Sequence, residues 1–331
     1  MRVMKNIVFT SLLLACLTAC GSFGAVTGSG AGESSIRLVS WNVQTFFDAE
    51  ADGSEYKDFV SDKRWGVAAY SERLRRLCDC LTVLDADVIV LVEVENEAVL
   101  RDISNYLCSG WLPGKRYRHA VFSKEKGSSL GCAVLSRHPL EDLSCHGLDA
   151  RATSGTAAFR KSPSLRPLMQ VSVVKDGKRL TLLVNHWKSM SGGAGESEVW
   201  RAAQESMLAE RMEELGSIPA VACGDFNRDV QDFAGGDDGL VVLRSGKKGI
   251  AVRSPWIPAD GEPVGPGSYY YKEEWSRIDG FLCAGRVELE DFRPETGGPW
   301  CQEETKIPRK YKVWNGQGYS DHLPISCTVL F

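Results

Sequence analysis

Short apolar runs that stop at polar residues recur along the chain. Ile36 to Val43 alternates and is rich in β-branched side chains, which predicts a strand. Tyr70, Leu74, Leu77, Leu81 and Leu84 follow one another at spacings of 4, 3, 4 and 3, one face of a helix. Cys78 and Cys80 fall on opposite flanks of that face, poorly placed to pair with each other. The run DVIVLVEV at 87–94 is almost continuously apolar and predicts a buried strand. A second helix is expected over 96–107, and strands over 131–136, 168–174 and 179–186. The last two are joined by Lys175-Asp176-Gly177-Lys178, a hairpin signal. Trp200, Ala203, Met207, Met212 and Leu215 place a helix over 196–215. A strand follows at 218–224, then a Gly/Pro-rich stretch read as irregular to about 267, then strands near 269–272, 277–283 and 324–330. No repeat, charge block or linker divides 36–331. Interspersed strands and helices predict one α/β domain.

What interrupts the apolar runs is more informative. The stretch ACGDFNRD, 222–229, ends a strand with a carboxylate, Asp225, and a carboxamide, Asn227, around Phe226. If the extended conformation continues, Asp225 and Asn227 face one side and Phe226 enters the core. Gly224 leaves room for a ligand or a backbone. The alternative is a turn or cap, where Asp and Asn are common. Five other strand ends carry the same kind of interruption. They are Asn42 in SWNVQTFFD, Glu93 in LVEVEN, Asn185 and His186 in LLVNHWKS, Asp279 in SRIDGFL, and Asp321 and His322 in GYSDHLPIS. Burying an ionisable group is costly unless it is paired or metal-bound, so six such stops in one domain point to a shared site.

Charge and cysteines narrow the setting. The 331 residues carry a net charge of −4, two units more negative once Arg2 and Lys5 are removed, so bulk charge does not make the chain a polyanion binder. MRVMKN followed by IVFTSLLLACLTA reads as a signal peptide over 1–19, too short to span a bilayer. Leu17-Thr18-Ala19-Cys20 looks like a bacterial lipobox, with Cys20 as the lipidated first residue. The Gly/Ser/Ala-rich residues to 35 read as a tether. An exported, envelope-anchored protein follows as the expectation. Cysteines 78, 80, 108, 132, 145, 223, 283, 301 and 327 remain, an odd number whose pairing spacing cannot fix. Cys132, Cys223 and Cys283 sit in apolar runs and read as core residues, and no spacing suggests zinc.

The six stretches, in this order, resemble the endonuclease/exonuclease/phosphatase superfamily, that of pancreatic-type deoxyribonuclease, abasic-site endonucleases, sphingomyelinases and inositol-polyphosphate phosphatases. GDFN, SRID and SDHLP are specific in combination. Val92 stands where many members have Gln, and Thr45 where many have Asn. The resemblance implies a four-layer α/β sandwich of two packed mixed sheets flanked by helices. It implies that Glu93, with Asn42 and Asp321, holds Mg²⁺ or Mn²⁺. Asp225 would orient or deprotonate the attacking water, and Asn227 would hold a phosphate oxygen. His322, held by Asp279, would stabilise charge or transfer a proton. His186 stands where the deoxyribonuclease and sphingomyelinase branches carry a second histidine. The residue chemistry agrees, because phosphodiester hydrolysis needs offset anionic charge, a polarised water and a proton for the leaving oxygen.

The remaining candidates are read more plainly. His119, His138 and His146 are taken as structural or surface residues, and Tyr269, Tyr270, Tyr271 and Trp275 as core packing, with stacking on bases as the alternative. Arg160, Lys161, Arg166 and the run KIPRKYK at 306–312 are taken as solvated surface, with contact between both groups and substrate phosphates as the alternative. The expectation is a monomeric, lipid-anchored, metal-dependent phosphodiesterase acting on nucleic acid. A sphingomyelinase-type enzyme remains open, with 254–275 as the one candidate for a membrane-facing hairpin. So do a sugar- or inositol-phosphate phosphatase and a non-catalytic surface-binding lipoprotein.

Overall fold

The computed structural model describes residues 33–109, 115–148, 165–190, 194–235, 239–258 and 264–331. The signal and tether with Cys20, and Arg160 and Lys161, lie outside the described residues. Two mixed sheets carry the fold. The first runs β15 (Glu288–Pro294), β16 (Ile325–Leu330), β1 (Ser35–Phe46), β2 (Val88–Val94), β4 (Gly131–Ser136) and β3 (His119–Ser123). The second runs β5 (Leu140–His146), β6 (Leu168–Lys175), β7 (Lys178–His186), β8 (Ala220–Asp225), β14 (Asp279–Ala284), β11 (Lys248–Arg253), β10 (Leu240–Ser245) and β9 (Ala234–Gly235). A small hairpin, β12 (Tyr269–Tyr271) and β13 (Glu274–Ser276), stands apart from both.

The layers follow from strand alternation. Ile36 and Leu38 of β1 and Val88, Val90 and Val92 of β2 share one core with Val171, Leu182, Val221 and Phe281 of the other sheet. The alternate residues Val39, Trp41, Ile89 and Leu91 face outward and meet Leu77, Leu81 and Ile103. Those three belong to α2 (Val67–Leu84), which follows the short α1 (Lys57–Ser61), and to α3 (Glu97–Ser109). On the far side, Leu208, Ala209 and Met212 of α4 (Ala194–Leu215) cover the second sheet. The order helix, sheet, sheet, helix is the four-layer sandwich expected from the sequence. Leu182 lies at its centre, and Leu182→Ala should cost about 2–5 kcal/mol by chemical denaturation.

Most expected elements are present, and the 168–186 hairpin turns where the sequence placed it, with Lys175 opposite Lys178. Two readings need correction. The stretch read as irregular contains the β10–β11 hairpin, with Ser245 opposite Lys248 around Gly246 and Lys247. The strand at 220–225 does not continue through ACGDFNRD. It stops at Asp225, whose Oδ1 accepts the Asn227 amide at 2.8 Å, and Asn227 adopts a left-handed φ of 46°. That local bond makes an Asx turn, so the turn reading is the correct one. Phe226 is buried as expected, against Trp187. All nine described cysteines are unpaired, and Cys132, Cys223 and Cys283 are core residues.

Candidate active site

Register brings three of the six polar stops into one row. In the second sheet His186 pairs with Asp225 across parallel strands, and Asp225 pairs with Asp279 across antiparallel ones. Close approach of β7 and β8 depends on Gly224, with φ of 121°. A Cβ there would lie 2.1 Å from the Asn185 carbonyl oxygen, so the room that Gly224 leaves is filled by backbone. The first sheet faces this row with Asn42 and Glu93. Simple alternation would send Glu93 outward with Ile89 and Leu91. Instead the β1–β2 register shifts between Val92 and Val94, and Glu93 takes φ of 70°. The bulge turns the carboxylate into the site, a local strain that buried surroundings must hold in place.

The two sheets meet at Asn42. Its Nδ2 donates to Asp225 Oδ2 at 3.0 Å and to Glu93 Oε1 at 3.3 Å, while its Oδ1 accepts the Gln44 amide. Glu93 Oε2 accepts the Thr45 amide at 2.6 Å. His186 Nε2 lies 3.6 Å from Glu93 Oε1 and 4.0 Å from Asp225 Oδ2. Burial, then the charges of Arg166 and His322, hold the His186 imidazole well below its ordinary pKa, so the ring is neutral. Asp225 moves the other way. Burial and the neighbouring charge of Asp279 raise its carboxyl well above the usual range, against the pull of His322.

His322 Nδ1 contacts Asp279 Oδ2 at 2.7 Å. Burial alone would lower this imidazole, but Asp279, by charge and hydrogen bond, and then Asp225 and Asp321 raise it. The ring is therefore an imidazolium at neutral pH, with Nε2 free for a substrate. Asp279, Asp225 and His322 each offer a ligand atom within 4.8 Å of the others. Asp279 Oδ1 is buried without a hydrogen-bond partner. Asp321 lines the same cleft, and its Oδ2 contacts Lys310 Nζ at 3.2 Å. Asn227 lines the cleft and donates through Nδ2 to the Trp187 carbonyl. Arg166 bonds the Tyr56 hydroxyl beside the cleft.

The opening is a cleft of about 1140 Å³. Its walls include Tyr56, Met190, Tyr269, Tyr271, Trp314 and Lys312. This corrects two sequence readings. Tyr269 and Tyr271 are not core residues: Tyr271 is 59% exposed, and Tyr269 packs its ring on His322 at 4.8 Å between centroids. The KIPRKYK run is not solvated surface throughout, because Lys310, Tyr311 and Lys312 line the cleft and Tyr311 is buried.

Sequence reasoning missed the residues that fasten the site. Arg73, buried on α2, donates to the carbonyls of Val43, Gln44 and Thr45 and lies 3.7 Å from the Tyr311 ring centroid. Its spacing from Tyr70 and Leu77, three and four residues, put it on the buried face and was the available signal. Burial lowers its pKa to about 9, which leaves it a cation. Ser320 Oγ donates to the Asn42 carbonyl at 2.6 Å and accepts the His322 amide, tying the histidine loop to β1. Arg228 pairs with Glu205 and Glu198 behind Asn227.

Residues 37–291 match the sequence profile of the Endonuclease/Exonuclease/phosphatase family. The chain belongs to that family. Its members are metal-dependent phosphoesterases, among them nucleases and sphingomyelinases. The fold is similar to TDP2 from Caenorhabditis elegans, at 17% identity and TM-score 0.57, covering 90% of this chain and 75% of that one. It is similar to Danio rerio TDP2 complexed with a single-strand DNA product, at 19% identity and TM-score 0.53, covering 89% and 99%. It is also similar to a double mutant of Staphylococcus aureus beta toxin with bound magnesium ions, at 14% identity and TM-score 0.55, covering 89% and 99%. No curated protein sequence matches the chain.

Proposed function

We propose that this chain hydrolyses phosphodiester bonds in nucleic acid with the help of Mg²⁺ or Mn²⁺. The observation that carries the reading is the convergence of Asn42, Glu93, His186, Asp225, Asp279 and His322 on one cleft from five strands and a loop. A hard divalent cation fits there. Glu93 and Asp225 bring carboxylate oxygens to the same Asn42 amide, and Asp279 Oδ1 is a buried acceptor without a donor. Glu93, with Asn42 and Asp321 beside it, would hold the ion. Bound there, a cation offsets phosphate charge and polarises a phosphoryl oxygen.

The chain's own groups supply the rest. Asp225, with its raised pKa, takes the proton of the water that attacks phosphorus. His322, kept protonated by Asp279, gives a proton to the departing oxygen or stabilises charge on the transition state. Asn227 and the neutral His186 donate to phosphate oxygens. Arg166 stands close enough to Tyr56 and His186 to meet a substrate phosphate. For nucleic acid in particular, Lys310 and Lys312 bring positive charge and Tyr269, Tyr271 and Trp314 bring aromatic faces to the cleft. The likeness to a TDP2 solved with a DNA product supports the same choice.

The first twenty residues support export and a lipid anchor at Cys20 in a bacterial envelope. Among the described residues no helix is long and apolar enough to cross a membrane. One observation favours a second reading, a phospholipid diesterase. The β12–β13 hairpin carries the exposed Tyr271 to the cleft rim, with Trp314 exposed nearby. The test offers plasmid DNA, RNA, sphingomyelin vesicles and inositol phosphates to the purified protein, with Mg²⁺ or Mn²⁺ and with EDTA. DNA or RNA turnover that EDTA abolishes is expected. Turnover that survives EDTA would refute the metal requirement, and turnover of sphingomyelin alone would select the second reading.

A further inference from the structure

A second group of acids lies outside the reaction centre, in the loop after β1 and at the end of β2. Asp52, Glu55 and Glu95 each place a carboxylate oxygen within 4.8 Å of the others. Glu95 is 0% exposed, and its Oε1 has no hydrogen-bond partner. Its Oε2 accepts the Asp48 amide at 2.6 Å. The Asp48 carboxylate in turn accepts Asn96 Nδ2 at 2.8 Å and the Glu50 amide at 2.7 Å. Among the described residues none of Asp48, Glu50, Asp52, Glu55 and Glu95 is ion-paired.

A buried carboxylate oxygen with neither a donor nor a cation beside it is costly. The two carboxylates beside it, of Asp52 and Glu55, cannot supply a proton donor while ionised. They can supply what a hard cation needs, since Ca²⁺ takes about 6–8 oxygen ligands in flexible geometry. The loop is consistent with that use. Asp48, Glu50 and Asp52 alternate, and Gly53 turns the chain at φ of 88°, the spacing of acids and glycine at the start of a calcium loop. A helix–loop–helix calcium site completes its shell with a glutamate at the twelfth position of the loop, counting the first acid as one. Here that place is the buried Phe59, and Glu95 arrives instead from β2.

We propose that Asp52, Glu55 and Glu95, backed by Asp48, hold a divalent cation of the calcium class, distinct from the reaction centre. Glu93 and Glu95 are two residues apart, yet Glu93 bonds Asn42 and Thr45 while Glu95 bonds the Asp48 amide. The cation would tie the 48–55 loop to the end of β2. Tyr56 and Phe59, which follow that loop, form part of the cleft wall, so the ion would brace the wall against which substrate sits.

Terbium(III) luminescence on the full chain tests the site. Trp65 Nε1 donates to the Asp48 carbonyl at 2.9 Å, so its indole is placed to sensitise a bound lanthanide. Sensitised emission that Ca²⁺ competes away is expected in the wild type and in Glu93→Gln, which removes the carboxylate of the reaction centre. In Glu95→Gln and Asp52→Asn the terbium affinity should fall tenfold or more. Asp52 is exposed, so Asp52→Asn keeps the test decisive even if Glu95→Gln does not fold. In parallel, Ca²⁺ should raise the melting temperature of wild type and Glu93→Gln but not of Asp52→Asn. Emission that is absent, or lost in Glu93→Gln and kept in Asp52→Asn, would overturn the proposal.

Discussion

The end of β2 separates two groups of acids that meet opposite fates. At the reaction centre, Asp225 and Asp279 are buried side by side, but His322 stands between them as an internal cation. In the 48–55 loop no described base pairs with the acids. Burial pushes Glu95 up to about 7, the Asp48 amide opposes that shift, and the charges of Asp48, Asp52 and Glu55 add to it. Lys124 acts at a distance on Asp52 and does no more. The lesson is one of compensation. The first group is assembled by the fold itself and carries chemistry, whereas the second depends on an external cation to be comfortable.

The comparison breaks most visibly in turnover. His322→Ala removes the internal cation, and phosphodiester turnover should fall by about 10²–10⁴ while circular dichroism stays unchanged. Asp225→Asn should fall by a similar order in the same assay. Asp279→Asn acts through His322, which gives it a second signature. The folded His322 pKa lies above its unfolded value of 6.5. Its contribution to stability is therefore complete below pH 6.5 and is lost as pH rises through the raised folded value. Denaturant titrations should show wild type more stable than Asp279→Asn at pH 6, with the gap closing as pH rises.

Glu95 titrates with the same sign as His322 but in a lower window. A carboxyl raised from 4.5 to about 7 binds more protons when folded, so metal-free protein should lose stability as pH rises from 4.5 to 7. Glu95→Gln should abolish that slope in EDTA. Retention of the slope would mean that another group causes it. The smallest effect is expected at the rim. Tyr271→Ala should raise KM a few-fold at nearly constant kcat, because the side chain is an exposed part of the cleft wall and is not one of the proton-transfer groups.

The sheet strands and the six polar stops were legible because buried strands leave nearly unbroken apolar runs, and a charge inside such a run is conspicuous. Glu93 and Asp225 show this best. The β10–β11 hairpin was hidden by the Gly and Pro residues around it, although Gly246-Lys247 between 240–245 and 248–253 is itself a two-residue turn signal. Arg73 was missed because a basic residue on a helix face defaults to solvent. What reverses the default is three carbonyls left over by the strained turn at 43–45, a fact of tertiary structure. The cleft walls were misjudged for the same reason. Whether Tyr271 packs or lines an opening depends on where the β12–β13 hairpin lies, not on its own sequence.

The most direct test of the central claim is the initial rate of plasmid DNA or bis(p-nitrophenyl) phosphate hydrolysis at saturating Mg²⁺, compared between wild type, Glu93→Gln and His322→Ala. Glu93 lies on β2 and His322 on the loop before β16, far apart in sequence, so one reaction centre requires that either change lower the rate by about two orders of magnitude or more. Rates equal to wild type in both variants would contradict it.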